Sequence, residues 1–244
     1  MPSDPGGLDA VLLDMDGTLV DTEGLWWQAT AAVAESLGRP LGPADAPHVH
    51  GRTIEDVAAH LVGPFAGQPH CGEPLAGRLR LDEPLAGRLH GDEPLGGRLR
   101  RGEPCAAAVA RQLTDAFAVR IAQDLTIMPG APELLADLAA TAIPTALVSA
   151  SPRSIVELVV PRLGHTFDLV IANEDTARGK PYPDPYLEAA RLLGAAPSRC
   201  VAIEDSPTGI AAATAAGCRV LVVSPQNGLP SLDHVRESFP SHEG

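Results

Sequence analysis

The sequence predicts an α/β fold: a doubly wound, Rossmann-like parallel sheet with a helical segment inserted after the first strand. Two observations favour this class. Past residue 125, short apolar runs alternate with helical patterns, which is typical of a parallel sheet covered by helices on both faces. Residues 20–126 carry helical patterns, which indicates an inserted cap. A chain of 244 residues with 45% hydrophobic residues is long enough to fold both parts.

The predicted core consists of residues 1–19 and 127–224, and residues 225–244 form a C-terminal tail. Its first strand is the apolar run 10–13. Four helices then alternate with four strands: helices at 131–140, 153–160, 185–193 and 207–216, and strands at 144–149, 168–172, 200–203 and 219–223. Ligands of such sheets bind at the carboxyl ends of the strands, so we expect functional residues there.

The predicted cap contains three helices. An apolar stripe on the first helix consists of four residues at four-residue spacing: Leu25, Ala29, Val33 and Leu37. Thr53 is placed to cap a second helix that runs to about residue 62, because threonine is a favoured N-cap. The third helix covers 106–123. Gly130 and the region around Asp21 are the predicted hinges between cap and core.

Within the cap, residues 73–102 form a tandem repeat of three ten-residue units, each beginning with Glu-Pro-Leu. The proline and glycine in every unit prevent one continuous helix. The leucine spacing suits neither a heptad nor an alternating strand, and the arginines and acids nearly balance. We interpret the repeat as a mobile low-complexity insertion on which catalysis does not depend. An ordered interaction arm is the alternative.

Composition excludes several classes of partner. A formal net charge of −13 argues against nucleic-acid binding, which needs clustered lysine and arginine. No apolar run reaches the length of a membrane span, and the N-terminus lacks a secretion signal. The four cysteines are scattered, without a C-x-x-C pair, which favours reduced thiols over disulfides or a zinc site. We therefore expect a cytoplasmic protein that binds neither nucleic acid nor membranes. The sequence leaves its oligomeric state open.

The most informative motif follows the first strand directly and consists of Asp14, Met15, Asp16, Gly17 and Thr18. Two carboxylates two residues apart allow one to attack an electrophile while the other transfers protons, and a cation can bind beside them. The glycine permits a tight turn, and the threonine adds a hydroxyl. An ordinary Asx-type turn is the structural alternative. A calcium-binding EF-hand loop is excluded because its sixth and twelfth positions are leucines here.

Three further groups lie near strand ends or on a constrained loop. Ser149 ends a predicted strand, where its hydroxyl and the backbone N–H groups that follow, starting with Ala150, can bind a phosphoryl oxygen. Lys180 lies between glycine and proline and so can present one cation at a fixed place. Glu204 and Asp205 end another predicted strand. Taken singly, each has an ordinary alternative: a helix cap for Ser149 or Asp205, and a solvated side chain for Lys180.

Together, in this order and at these boundaries, the residues resemble the four motifs of the haloacid dehalogenase (HAD) superfamily. The resemblance is to its β-phosphoglucomutase-like phosphatase branch, which has a helical cap. The matching residues, in motif order, are residues 14–18, Ser149, Lys180, and Glu204 with Asp205. The resemblance covers the core and the first cap helix but neither the repeat nor about the last twenty residues. The combination of four motifs is specific, although no single motif is.

The resemblance implies a Mg²⁺-dependent phosphoric monoester hydrolase. It implies that Asp14 attacks phosphorus and forms an aspartyl-phosphate. Asp16 donates a proton to the leaving oxygen and later takes one from water. The implied Mg²⁺ ligands are the carboxylates of Asp14 and Asp205 and the backbone carbonyl of Asp16, with Glu204 orienting them.

The resemblance also assigns the phosphoryl-binding groups. Lys180, Ser149 and the backbone of Ala150 stabilise charge on the transferring phosphoryl group. Thr18 is expected beside the metal ligands rather than on the metal. The implied substrate is a small phosphorylated metabolite, with a sugar phosphate favoured.

Trp26 and Arg52 are the candidate specificity residues of the cap. Trp26 lies near the start of the first cap helix, where it can flank a sugar, although packing within the cap is the favoured interpretation. Arg52 can contact an anionic substrate or remain a surface residue. His48 and His50 lack further clustered ligands, so we interpret them as solvated rather than metal-binding.

Two other functions stay open. One is a phosphomutase similar to β-phosphoglucomutase. Those enzymes carry a histidine where this chain has Trp26 and an arginine where it has Ile54, and both departures favour phosphoryl transfer to water. The other is an inactive scaffold that binds partners through the repeat. The chain keeps the carboxylates, the serine and the lysine of all four motifs, which argues against an inactive scaffold.

Overall fold

The structure, a computed structural model, describes residues 7–63, 105–224 and 226–239. Within these ranges it confirms the predicted α/β class. The strands are β1 (Ala10–Leu13), β2 (Val20–Asp21), β3 (Thr126–Ile127), β4 (Thr145–Val148), β5 (Leu169–Ile171), β6 (Cys200–Glu204) and β7 (Arg219–Val222). The helices are α1 (Glu23–Ser36), α2 (Ala46–Val49), α3 (Ile54–Val62), α4 (Ala106–Asp124), α5 (Ala131–Ala139), α6 (Arg153–Val159), α7 (Asp184–Leu193), α8 (Pro207–Ala215) and α9 (Leu232–Glu237).

A five-stranded parallel sheet forms the centre of the core, with strand order β5-β4-β1-β6-β7. The central strand β1 pairs with β4 on one side and β6 on the other, so that Leu13 lies beside both Leu147 and Ile203. The carboxyl ends of these three strands therefore meet at one edge of the sheet. That edge is where ligands of doubly wound sheets bind.

The two faces of the sheet are covered by different helices, because successive side chains of a strand point to opposite faces. Leu13 belongs to a buried cluster with residues of α5 and α6, whereas Leu12 belongs to a second cluster with residues of α7 and α8. All four residues of β1 are fully buried. The prediction of a doubly wound sheet is confirmed.

The described part of the cap consists of α1–α4, in which α1 and α3 both pack against α4. Leu25, Ala29 and Val33 are buried on α1, as the apolar stripe predicts. The hydroxyl of Thr53 caps α3 by accepting a hydrogen bond from the backbone N–H of Asp56 at 3.2 Å. The repeat 73–102 lies outside the described residues, so our interpretation of it stays a prediction.

A short antiparallel ribbon, which the sequence did not predict, joins cap and core. It pairs β2 with β3, so that Val20 lies beside Ile127 and Asp21 beside Thr126. Strands of two residues are too short to show an alternating pattern. The ribbon lies where the chain leaves the core and returns to it.

The segment predicted as a C-terminal tail contains α9, which contacts α5. Ser231 caps this helix, and two residues of the helix, Leu232 and Val235, are buried. Gly130 has a φ of +83°, and a Cβ there would lie 3.2 Å from the carbonyl oxygen of Leu229. The glycine at this predicted hinge therefore also allows close approach of the C-terminal segment.

Cysteine chemistry follows the prediction in part. Cys200 and Cys218 are free, and burial raises the pKa of Cys200 to about 12 and that of Cys218 to about 11. Cys71 lies outside the described residues, so the expectation for Cys71 and Cys105 stays a prediction. Across the described parts of the chain, each helix is too short or too polar to cross a membrane.

Candidate active site

The carboxyl ends of β1, β4 and β6 bring the motif residues together. Asp14 follows β1, and its backbone N–H donates to the carbonyl oxygen of Ile203 at 3.0 Å. Ser149 follows β4, while Glu204 ends β6 and Asp205 comes next. Residues far apart in the sequence thus meet because their strands lie side by side in register.

Gly17 makes room for Asp205 beside the first strand. Its φ of +80° is a left-handed conformation that favours glycine. A Cβ at this position would lie 2.1 Å from Oδ2 of Asp205. The hydroxyl of Thr18, which follows, donates to Oδ1 of Asp205 at 3.1 Å. The turn after β1 therefore positions the acid that follows β6.

Lys180 is the centre of a buried charge cluster. Its Nζ donates to Oδ1 of Asp14 at 2.6 Å, to Oε1 of Glu204 at 2.5 Å and to the carbonyl oxygen of Val148 at 2.9 Å. Burial opposes the charge on this ammonium, but Asp14, Tyr186 and Glu204 raise its pKa well above the ordinary value. Burial and then the nearby Glu204 also raise the pKa of Asp14. The single cation thus contacts two acids that would otherwise repel each other.

Glu204 is fully buried, and both of its oxygens are occupied by donors. Oε1 accepts from Lys180 and from the hydroxyl of Tyr186, the latter at 2.7 Å. Oε2 accepts from the backbone N–H of Asp205 at 3.2 Å and from both the N–H and hydroxyl of Ser206, at 3.3 and 3.2 Å. A Cβ on Gly209 would lie 1.7 Å from Oε1 of Glu204. This carboxylate is therefore held by many contacts and positions its neighbours.

Asp16 is surrounded by hydroxyl groups. Thr22 donates to Oδ1 at 2.9 Å, while Ser151 and Ser149 donate to Oδ2 at 2.8 and 3.3 Å. Burial raises the pKa of Asp16, and these hydrogen bonds partly oppose that rise. A raised carboxyl pKa suits a group that must donate a proton near neutral pH. Thr22 and Ser151 are functional residues that the sequence did not predict. For Ser151, the available signal was its position two residues after Ser149, at the same strand end.

Ser149 is buried, and its hydroxyl also accepts a hydrogen bond from the backbone N–H of Ser151 at 2.9 Å. Ala150 and Ser151 instead line the cavity described below. The loop after β4 thus offers backbone and hydroxyl groups toward the cavity, with Ser149 holding its conformation.

The acids of the cluster are close enough to share a cation. One carboxylate oxygen from each of Asp14, Glu204 and Asp205 lies within 4.8 Å of the others. Burial, followed by repulsion from Glu204, raises the pKa of Asp205 to about 6. Because Glu204 already accepts five hydrogen bonds, Asp14 and Asp205 are the better placed to bind a metal. Oxygen donors of this kind suit a hard divalent cation.

A cavity of about 560 Å³ lies between this cluster and the cap. Its floor includes Asp14, Asp16, Lys180 and Asp205. Its opposite wall comes largely from the cap and includes Glu23, Trp26, His50, Arg52, Ile54, Asp56 and Phe117. The volume lies within the range of pockets that bind small molecules.

The two cap candidates both line this cavity, in different ways. Trp26 is mostly buried; its Nε1 donates to the carbonyl oxygen of Val49 at 3.0 Å, and its ring packs edge-to-face against Phe117. Arg52 is exposed, and its Nε donates to the carbonyl oxygen of Pro47 at 3.2 Å. Trp26 is therefore part of the cap interior with an edge on the cavity, whereas the Arg52 side chain has one weak restraint.

The two histidines differ from each other. The His48 ring stacks on His60, with ring centroids 4.3 Å apart. His50 lies on the cavity wall, stacked on Trp27, and its Nδ1 is 2.8 Å from Oε1 of Glu23. Our interpretation of His50 as a merely solvated residue missed this placement.

The fold and the site define a capped α/β enzyme whose centre combines strand-end carboxylates with one buried lysine. Comparison with known proteins identifies the family. The model of the haloacid dehalogenase-like hydrolase family matches residues 8–217, and the chain belongs to this family. This confirms the resemblance and the fold predicted from the sequence.

Two of the relatives are phosphatases by name. Hexitol phosphatase B of Escherichia coli (strain K12) is 30% identical over 224 residues, which cover 91% of this chain and 86% of that protein. Hexitol phosphatase A of the same strain is 37% identical over 119 residues, or 46% of this chain, and the match spans about half of that protein, 53%. The crystal structure of CbbY from Rhodobacter sphaeroides in complex with phosphate has a TM-score of 0.66 and 26% identity. That alignment covers 89% of this chain and 86% of CbbY.

Proposed function

We propose that this chain is a Mg²⁺-dependent phosphatase that hydrolyses a small phosphorylated metabolite, a sugar phosphate, through an aspartyl-phosphate intermediate. The observation that carries the proposal is the contact of one buried ammonium, Lys180, with both Asp14 and Glu204 at the floor of a capped cavity. Membership of a hydrolase family and similarity to hexitol phosphatases support it.

Asp14 is the proposed nucleophile. Lys180 binds its Oδ1, while Oδ2 makes no hydrogen bond within the described residues. One carboxylate oxygen is thus positioned and the other is available to attack phosphorus. The attack forms a bond from Asp14 to phosphorus and breaks the bond from phosphorus to the alcohol oxygen. The hydrolysis of one ester is thereby divided into two easier displacements.

Asp16 is the proposed acid and base. It gives its proton to the departing alcohol oxygen in the first step. In the second step it takes a proton from the water that attacks phosphorus and breaks the bond to Asp14. Its three hydroxyl partners hold the carboxyl in place through both steps. Lys180 and the groups of Ala150 and Ser151 facing the cavity would stabilise charge on the transferring phosphoryl group.

The donor set fits a magnesium ion. Asp14 and Asp205 are carboxylates whose pKa values are raised by burial and by neighbouring acids, and a cation between them would relieve that repulsion. Their carboxylates and the backbone carbonyl of Asp16 would hold the ion, with water completing its shell. When bound, the ion would neutralise charge between the acids and the phosphate. Glu204 and Thr18 position these ligands rather than replace them.

The residues at two cap positions support transfer to water over the phosphomutase alternative. Where β-phosphoglucomutases carry a histidine, this chain has Trp26, which packs inside the cap. Ile54, which stands where those enzymes have an arginine, is buried. Neither side chain can move a proton to or from a second sugar hydroxyl. We further propose the boundaries given above for core and cap, and a cytoplasmic location.

Hydrolysis of p-nitrophenyl phosphate and of a panel of phosphorylated metabolites, with Mg²⁺ or with chelator, tests the proposal. We expect turnover that needs the metal and that an Asp14→Asn variant lacks, because a neutral amide cannot attack phosphorus to form the acyl phosphate. Circular dichroism spectra would check that this variant is folded. Full activity in Asp14→Asn, or turnover that chelator does not change, would overturn the proposal.

A further inference from the structure

The part of the cavity lined by exposed residues is acidic. Three exposed carboxylates line it, those of Asp21, Glu23 and Asp56. Among the described residues that line this part of the cavity, the basic side chains are those of Arg52 and His50. Three carboxylates outnumber these two basic groups, so this side carries a net negative charge. A second anionic group on a substrate would therefore meet repulsion here.

The cations of the cavity offer little to such a second anion. Lys180 donates to Asp14, Glu204 and the carbonyl oxygen of Val148, so all three of its N–H groups are used. Arg52 is exposed to solvent, which weakens its attraction for a phosphate. One phosphoryl group can be bound at the floor, while the cap side has no built anion site.

The same side instead suits hydroxyl groups. Nδ1 of His50 lies 2.8 Å from Oε1 of Glu23, and the imidazole is parallel to the Trp27 ring at a centroid distance of 5.3 Å. The imidazole is thus stacked on Trp27 and lies close to Glu23, but its buried Nδ1 makes no hydrogen bond within the described residues. Its Nε2 makes no hydrogen bond within the described residues. A carboxylate accepts hydrogen bonds, and an imidazole nitrogen donates or accepts according to its protonation. Together they can bind adjacent hydroxyls, which both donate and accept.

We propose that Glu23 and His50 select the phosphate monoester of a neutral, polyhydroxylated alcohol, and that the acidic cap side disfavours substrates with a second phosphate. This inference rests on the proposed phosphatase function and names the substrate class of the same site. A cavity of about 560 Å³ has room for an alcohol of sugar size.

The test compares kcat/KM for sorbitol 6-phosphate and for fructose 1,6-bisphosphate, using the full chain with saturating Mg²⁺. The wild type is expected to prefer the monophosphate. A Glu23→Lys variant reverses a charge on the cavity wall and is expected to lower that preference about tenfold. Glu35→Lys is the matched control, since Glu35 lies on the same helix, is exposed and does not line the cavity. It should leave the preference within about twofold of wild type.

Ionic strength supplies a second readout. Because the carboxylates are exposed, their repulsion is screened by salt, and the Debye length falls from about 30 Å at 0.01 M to about 3 Å at 1 M. The preference of the wild type for the monophosphate should therefore decline as salt rises, and more steeply than that of Glu23→Lys. A purely steric selection would not respond to salt.

Three results would overturn the inference: a wild type that does not prefer the monophosphate, equal shifts in Glu23→Lys and Glu35→Lys, or a preference that salt does not change. Failure of the proposed function is distinguishable. In that case the wild type would hydrolyse neither p-nitrophenyl phosphate nor either sugar phosphate. Turnover of all three with no difference between mono- and bisphosphate would refute the substrate class alone.

Discussion

The floor of the cavity and its cap wall are built differently. On the floor, Lys180 and Glu204 are buried, and each makes several hydrogen bonds. On the cap wall, Glu23 and Arg52 are exposed, with a single polar contact for each. Restricted side chains suit the placement of reacting groups, whereas exposed ones can change with little cost to folding. We therefore expect floor substitutions to lower activity and stability, and cap-wall substitutions to change substrate preference.

The largest expected effect is that of Lys180→Met. The substitution keeps most of the side-chain volume but leaves two buried acids without their cation. We expect kcat to fall about 10³-fold, because a charge that stabilises the phosphoryl group is lost. Chemical denaturation should also show a loss of about 3–5 kcal/mol in the free energy of unfolding at pH 7.

Arg178→Met is the matched control for Lys180→Met. Arg178 lies two residues before Lys180 in the chain and forms an ion pair with Asp184. Unlike Lys180, the Arg178 side chain is exposed. Exposed pairs contribute little to stability, so this variant should keep wild-type activity and unfold at nearly the same denaturant concentration. Equal effects of the two variants would contradict the distinction between the floor and the surface.

Gly209→Ala tests the packing around Glu204. Alanine is intrinsically favoured in a helix by about 1 kcal/mol, yet its Cβ would lie 1.7 Å from Oε1 of Glu204. We expect a displaced carboxylate, a lower melting temperature and a kcat reduced about 10²-fold. Gly24→Ala is the control, because a Cβ there meets nothing within 4 Å. A Gly209→Ala variant as active as Gly24→Ala would show that the position of Glu204 is unimportant.

Ser151→Ala is expected to have a smaller effect, which appears chiefly in the pH profile. The hydrogen bond from Ser151 lowers the pKa of Asp16, so its loss raises that pKa. Since the first step needs protonated Asp16, the alkaline limb of kcat/KM should move to higher pH. At neutral pH we expect about a fivefold loss of kcat, the size of one hydrogen bond. Ser154→Ala, at an exposed position of α6, should leave the profile in place. An unchanged alkaline limb in Ser151→Ala would contradict the assigned contact.

The smallest expected effect is that of deleting residues 73–102. The repeat lies outside the described residues, and the floor is complete without it. We expect kcat on p-nitrophenyl phosphate to change by less than about twofold, since shortening a long connection costs little free energy. Loss of activity in a folded deletion variant would refute our interpretation of the repeat.

The sequence predicted the floor better than the wall. Asp14, Asp16 and Asp205 follow apolar runs whose strand assignment was correct, and parallel strands bring their carboxyl ends to one edge. Lys180 lies between glycine and proline on a constrained loop, and its combination with the other three motifs distinguished it from an ordinary solvated lysine. The positions of these acids follow from local sequence patterns, since each acid comes at or just after the end of one apolar strand.

The remaining residues depend on tertiary packing. Tyr186 is a helix residue whose hydroxyl meets Glu204 only because α7 lies under the sheet. Glu23 and His50 come from separate cap elements and form a contact that no short motif encodes. The helix α9 was missed because six residues with two buried positions give little periodic signal. Sequence patterns thus predict which residues lie at the strand ends. Tertiary packing determines which other side chains contact those residues.

The most direct measurement is acid-quench labelling during turnover, with a substrate that carries a radioactive phosphoryl group. We expect transient label on the peptide that contains Asp14, formed and lost at rates that match kcat, and no label in Asp14→Asn. Turnover without any labelled protein, or label on a peptide that lacks Asp14, would contradict it.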